Sequence, residues 1–369
     1  SPEGLKFPLV WMSGYMPTRY ATEQLDPIQA RAIVSGEKGD ELMILSVDTC
    51  IITPFTVSLW KRMISRKIGM RPERILVIAT HTHSGPDLTG LFGGVSPMYF
   101  ARVTEGVVEA ARKAWVSRRP ARLFMGCSTH NIGKPRRTET GQYDREDSVV
   151  VMQWRIGDGV VATLVNLGCH SVVLPHFSKL LSSDLAGGIN RKADSFFGGV
   201  TLFAPRIQGD VNPNILGDDP YHQNGNPEEL ERLSSEGFAS VRAAVASATE
   251  MQYEKNSISR CEIKVSLRKA WMGLMKSPIW AGRLSFDPLS YGIPASHFKI
   301  GGVEGAAFSG EVLTCLGRKA VSGMKEPCLL ISYCDGYYGY LMTSETFATG
   351  GYEPNVSPGP MDDFGSLFS

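Results

Sequence analysis

Apolar and polar positions follow two rhythms along this chain. Short β-branched or leucine-rich runs bounded by turn residues predict strands: "ELMILSVD" (41–48), "ILVIAT" (75–80), "ARLFMGCST" (121–129), "SVVVMQWRI" (148–156), "VVATLVNLGCH" (160–170), "TLFAPRI" (201–207) and "PCLLISY" (327–333). "SISRCEIKVSLRKA" (257–270) alternates as a half-exposed strand does. Apolar residues three and four apart predict helices over 56–69, 97–118, 184–198, 226–250 and 312–323. Pro97 stands near the start of one, and 226–250 combines a proline start with an acidic first turn.

Strands and helices alternate with short connections. The expected fold is therefore a layered α/β one, with a central, mostly parallel or mixed sheet flanked by helices. No linker, repeat or charge block interrupts it, so residues 1–369 are expected to form a single domain. The exception is 271–297, rich in Trp, Pro, Gly and Met and without a clear period. Two readings stand for it: a functional lid or pocket wall carrying Trp271, Trp280 and Phe286, or an irregular packed excursion.

Composition narrows the classes. A net charge of +1 supplies no bulk field for nucleic acid or an anionic membrane. No apolar run reaches the roughly 20 residues of a membrane helix. The 7 cysteines are odd in number and include no CxxC pair, so they read as reduced, buried thiols of a cytoplasmic protein. No signal peptide is visible, but secretion stays open, because a native start further upstream would carry one.

Several predicted strands end in unusual polar residues, and strand ends are where α/β sheets bind ligands. "ILVIATHTHSGP" ends in His81 and His83. Extended backbone puts residues i and i+2 on one side, so both imidazoles can face one site. Either they bind a metal, Zn²⁺ being the usual choice for non-redox hydrolysis, or core hydrogen bonds satisfy them. "LVNLGCH" delivers His170 in the same way. Asp184 stands where a structural helix cap is the plainer reading. "QGDVNPN" places Asp210 and Asn212 in a turn that either lines a site or is only a turn. In "FSGE", Glu311 opens a predicted helix, where a carboxylate is often just a dipole partner. Tyr337, Tyr338, Tyr340 and Tyr352 cluster among glycines and read as core; residue chemistry alone names no tyrosine as a ligand.

Taken in order, "ATHTHSGP", "LGCHSVVL…LSSD", "QGDVNPN", "FSGE" and "YYGYLMTSETFATGGYE" resemble the motifs of the neutral/alkaline (non-lysosomal) ceramidase family. "GYMPTRYATEQLDPIQARAIV" resembles that family's opening segment. The likeness spans nearly the whole chain as separated motifs, with Thr-His-Thr-His-Ser-Gly-Pro the most specific. It implies an α/β catalytic domain around one Zn²⁺ at strand ends, and hydrolysis of an amide bond; the family cleaves ceramide into a fatty acid and a sphingoid base. Carried over by motif, the ligands are His81, His170, Glu311 and Tyr337. His83 stands beside the metal as a non-ligand and is expected to move protons, its ordinary pKa near 6.5 suiting that task. Lys134 occupies the position of a family arginine in "NIGKPRR", with Arg136 close by; these two and Tyr340 are candidate oxyanion donors. Asp184 and Asp210 are expected to orient ligands from behind.

Two departures shape the expected substrate. The family serine of "GD-x-S-P-N" is Asn212 here, and the family's C-terminal immunoglobulin-like domain has no counterpart in this sequence. The expected function is a zinc-dependent, ceramidase-like hydrolase of an amide (N-acyl) bond, with long-chain ceramide a poor substrate or none. The alternatives are a metal-dependent hydrolase of a small non-lipid amide, cyclic amide or lactone, and a non-catalytic ligand-binding descendant. The expected partner is a small N-acyl or amide molecule, with no nucleic acid and no integral membrane segment; a homo-oligomer stays open.

Overall fold

Strands written as unbroken apolar runs must bury both faces. The computed structural model, which describes residues 10–15, 18–142, 144–216, 224–266 and 290–361, shows how they do so. Strands β1 (Ala30–Ser35) and β2 (Leu42–Val47) pair antiparallel, and after helix α1 (Pro54–Ile68) strand β3 (Ile75–Ala79) joins β2 in parallel. Helix α2 (Pro97–Val116) leads into a second sheet. There β4 (Arg122–Thr129), β5 (Ser148–Ile156) and β6 (Gly159–Leu167) run antiparallel. Helix α3 (Asp184–Phe197) crosses over to β7 (Val200–Pro205), which lies parallel to β6. Helix α4 (Pro227–Ala246) precedes the third sheet, in which β8 (Ser257–Ser266), β9 (Ser290–Ile300) and β10 (Val303–Phe308) pair antiparallel. Helix α5 (Thr314–Val321) then brings β11 (Leu329–Ile331) parallel to β10. The fold is thus mixed α/β, as the pattern predicts, with three main sheets in place of one.

The period-2 geometry of each strand explains the layering. Leu42, Ile44 and Leu76 of the first sheet, Val150, Met152 and Leu164 of the second, and Phe298, Val303 and Ile331 of the third form one shared core. The opposite faces lie under helices. Met43 and Val77 pack with Trp60 of α1 and Val107 of α2. Val165 and Phe203 pack with Ile189 of α3 and Val241 of α4, and Phe308 and Leu330 pack with Leu316 of α5. The helices start where their sequences say. The Thr53 hydroxyl accepts from the Thr56 N–H at 3.2 Å ahead of Pro54, and Asn226 accepts from Glu229 at 2.8 Å ahead of Pro227.

Three expectations need correction. The strand predicted over 160–170 ends at Leu167, so His170 lies beyond it. The helix predicted over 312–323 starts at Thr314, because Glu311–Val312 pairs in parallel with Tyr340–Leu341. Glu311 is therefore held by a strand pairing, not by a helix start. Within 271–297, residues 290–297 belong to β9, whose neighbours β8 and β10 supply pairing on both sides despite Gly292 and Pro294. Trp271, Trp280 and Phe286 lie outside the described residues.

The loops that follow β2, β3, β6 and β7 converge. The His81 N–H donates to Thr49 O (3.0 Å), His83 to Ser171 O (3.1 Å) and His170 to Val211 O (3.0 Å). Among the described residues no helix is long and apolar enough to cross a membrane.

Trp60 is fully buried and donates its Nε1–H to Thr104 Oγ1 at 3.0 Å, tying α1 to α2. Trp60→Ala is expected to destabilise the protein by about 3–5 kcal/mol through the cavity it leaves. The midpoint of denaturant unfolding measures this; an unchanged midpoint would mean that the contact between α1 and α2 carries little of the stability.

Candidate metal centre

Strand β3 stops at Ala79, and the backbone turns sharply. His81 adopts φ 63°, in the left-handed region that β-branched and bulky residues avoid. The segment is therefore not extended, and the two imidazoles do not meet through simple i, i+2 alternation. They meet because the turn swings His81 round, leaving its Nε2 3.1 Å from His83 Nε2. Tyr333, at the end of β11, takes a similar turn (φ 55°) and stacks on the His81 ring at 4.0 Å with an interplanar angle of 16°.

The tautomers follow from the hydrogen bonds. His81 Nδ1 lies 2.8 Å from Cys50 O, and His170 Nδ1 lies 3.2 Å from Val211 O. A carbonyl only accepts, so each Nδ1 carries the proton and each Nε2 is left with a lone pair. Both lone pairs face the Glu311 carboxylate: Oε2 is 3.1 Å from His170 Nε2 and 3.7 Å from His81 Nε2. Tyr337 donates its hydroxyl to Oε1, and Tyr333 donates to Oε2 at 3.3 Å. The three side chains His81, His170 and Glu311 are almost completely buried.

Burial pulls the His81 imidazole down to about 4, against the raising effect of Glu311. Burial pushes the Glu311 carboxyl up, but His81, His170 and the Tyr337 hydrogen bond outweigh it and hold the group at about 2. Two imidazole Nε2 atoms and a carboxylate oxygen thus converge in a dry interior. Such a donor set fits a cation. Cys50, His81 and His83 make a second possible donor group, with Cys50 Sγ 3.6 Å from His81 Nδ1. It is the poorer one: burial holds the Cys50 thiol well above its ordinary range, and His81 Nδ1 is already committed to a carbonyl.

His83 is enclosed by the segment that opens the described chain. Gly14 (φ 99°) lies so close that a Cβ there would stand 2.3 Å from His83 Cγ. The Tyr15 ring meets His83 edge-on at 4.8 Å, and Arg19 Nη2 donates to His83 O. Burial, followed by the neighbouring His81 and His170, drives the His83 pKa well below 6.5. The ordinary value assumed from the sequence therefore does not apply, and burial favours the neutral imidazole of His83.

The remaining candidates divide. Tyr340 pairs in register with Glu311, and its ring lies under the Arg136 guanidinium at 5.1 Å. Arg136 Nε donates to Glu353 Oε1 at 2.8 Å. Lys134 lies opposite Asn212 in the short pairing of Gly133–Pro135 with Val211–Pro213. Asp210 Oδ1 accepts from both the N–H (2.9 Å) and the hydroxyl (2.8 Å) of Thr314, bracing the turn that carries Glu311. Asp184 is not the cap expected from the sequence: Ser183 holds that position and Asp184 is the first residue of α3. Its carboxylate accepts the Leu185 N–H at 2.7 Å and also those of Val173 (3.0 Å) and Leu174 (3.1 Å), pinning the loop after His170. Sequence reasoning missed Gly14, Tyr15, Cys50 and Tyr333. Only Tyr333 carried a usable signal, a polar residue closing an apolar strand just as His81 does.

No protein-family model and no curated protein matches the chain in sequence. Solved structures do match it as folds. The neutral ceramidase from Pseudomonas aeruginosa aligns over 95% of this chain and 69% of its own length, with a TM-score of 0.76 and 19% identity. A ceramidase complexed with C2 aligns over 95% of this chain and 70% of its own, with a TM-score of 0.74 and 18% identity. The chain therefore has the neutral ceramidase fold.

Removing the Asp210 carboxylate would leave the buried Thr314 N–H without an acceptor. Asp210→Ala is expected to cost about 1–3 kcal/mol, whereas Asp210→Asn, which keeps an acceptor oxygen, restores most of it. Thermal unfolding of the two variants side by side checks this, and equal losses would show that the charge matters more than the acceptor.

Proposed function

We propose that this chain is a zinc-dependent hydrolase of an amide (N-acyl) bond, built as one catalytic domain on the ceramidase fold. The observation that carries the reading is the convergence of two imidazole lone pairs on a buried carboxylate, each imidazole fixed from behind by a main-chain carbonyl. His81, His170 and Glu311 would hold Zn²⁺, with Tyr337 as the fourth ligand. Burial and Glu311 keep the Tyr337 phenol above its ordinary range, so Tyr337 would have to lose its proton to serve as a ligand. When bound, Zn²⁺ supplies Lewis acidity that lowers the pKa of water towards about 7 and polarises a carbonyl.

The protein does the rest. Neutral His83, with Nε2 aimed at the same point as His81 Nε2, takes the proton of the attacking water and returns it to the leaving amine. Tyr340, paired with Glu311, and Arg136, whose guanidinium lies over the Tyr340 ring, would donate to the oxyanion, with Lys134 on the separate short ribbon of Gly133–Pro135. The buried Asn212 offers an amide where a hydroxyl would serve ceramide. It favours a substrate with a polar group at that point, so long-chain ceramide is expected to be turned over poorly or not at all.

Elemental analysis should find roughly one zinc per chain. His170→Ala is expected to lose the metal, while Tyr337→Phe keeps it with affinity lowered about 10- to 100-fold. Full zinc occupancy in His170→Ala would sink the ligand assignment. A panel of N-acyl compounds tests the substrate: efficient turnover of long-chain ceramide would show that Asn212 does not exclude it, and no turnover of any amide by the zinc-loaded protein would favour a binding role.

A further inference from the structure

A cavity of about 430 Å³ opens between α2 and the end of β2, apart from the histidine cluster. Its size falls within the roughly 300–1,000 Å³ of small-molecule sites. Asp48 lines it, only 3% exposed. Its Oδ2 accepts the Gln29 N–H at 2.9 Å, but among the described residues no cation pairs with it. Arg31, whose charge it feels, is committed to Asp194 at 2.6 Å and to Thr201 O at 2.7 Å. A buried carboxylate without a counter-ion is costly, and burial pushes this one up to about 6. Arg102 lines the same cavity and forms no ion pair among the described residues, while Gln24 and Gln29 add amide groups.

Helix α2 carries a further sign. Gly106 lies mid-helix on the cavity wall, where a Cβ would meet nothing within 4 Å. A helix-interior glycine costs stability relative to alanine, and no packing within the protein calls for this one. It leaves the helix backbone open to whatever enters. The remaining wall includes Val47, Val103 and Leu181.

We propose that this cavity binds a small zwitterion, an α-amino acid with a branched apolar side chain, its ammonium on Asp48, its carboxylate towards Arg102 and its side chain against Val47, Val103 and Leu181. A simple amine would make no use of the exposed Arg102 guanidinium on the cavity wall. A simple acid would face Asp48 with like charge. The inference does not rest on the proposed hydrolase activity, and the residues involved are not those of the histidine cluster.

Calorimetric titration of the full chain with L-leucine tests it, alongside isoamylamine, which lacks the carboxylate, and 4-methylpentanoate, which lacks the ammonium. Leucine is expected to bind, and each analogue to bind at least about tenfold more weakly, because each loses one charge-assisted contact. Gly106→Leu fills the cavity from a helix position that tolerates it, and should abolish leucine binding with an unfolding midpoint no lower than that of the wild type. Asp48→Asn should also abolish it; if that variant does not fold, Gly106→Leu carries the test. No binding of leucine by the wild type, equal binding by Gly106→Leu, or isoamylamine binding as tightly as leucine would each overturn the proposal.

Discussion

Two hydrogen bonds from imidazole to main chain govern the centre of this molecule. With the Nδ1 protons of His81 and His170 spent on Cys50 O and Val211 O, both Nε2 lone pairs are forced towards Glu311. Were either Nδ1 free, that ring could flip its tautomer and donate to the carboxylate, and the site would be an ordinary buried salt link. Fixed as they are, the three groups make a charge-deficient hole in a low-dielectric interior, the condition in which a metal binds best.

Holding that hole open costs backbone strain. His81, Asp184 and Tyr333 all adopt positive φ, each worth of the order of 1–3 kcal/mol. The frame sustains it by over-determining the loops. Asp184 grips three N–H groups around the loop after His170, Asp210 grips Thr314 behind Glu311, and Arg19 clamps the His83 carbonyl. These braces come from segments far apart in sequence and meet only because three sheets share one core. A brace from one loop alone would move with that loop; braces crossing between sheets do not.

The same enclosure changes the chemistry of the residue beside the candidate metal centre. His83 is walled by Gly14 and Tyr15 and flanked by two further histidines, so its charged form is disfavoured from every side. Its neutral form is the favoured one. The arginines of "NIGKPRR" divide their labour by burial. Arg137 is turned inward onto Glu353, Thr349 Oγ1 and Gly350 O, while Arg136 shares Glu353 and lies over the rings of Tyr340 and Tyr352.

The sequence by itself determined the elements and their order. Apolar runs of five to nine residues and capped, periodic helices are local signals, and the strand 148–156 and the helix starts at Pro97 and Pro227 come out as written. Residues closing apolar strands also marked the centre, because parallel strands deliver their ends to one edge. What needed the tertiary structure is whatever depends on a partner distant in sequence. The pairing of Glu311 with Tyr340 replaced a helix start, and β9 took its hydrogen bonds from neighbours that its own glycine and proline do not advertise. Solvent exclusion, not spacing, decided the protonation of His83. The reversal of chain direction at His81, not the i, i+2 alternation, decided that two histidines share a point, because backbone strain of that kind is affordable only where the surrounding fold already holds both ends of the turn.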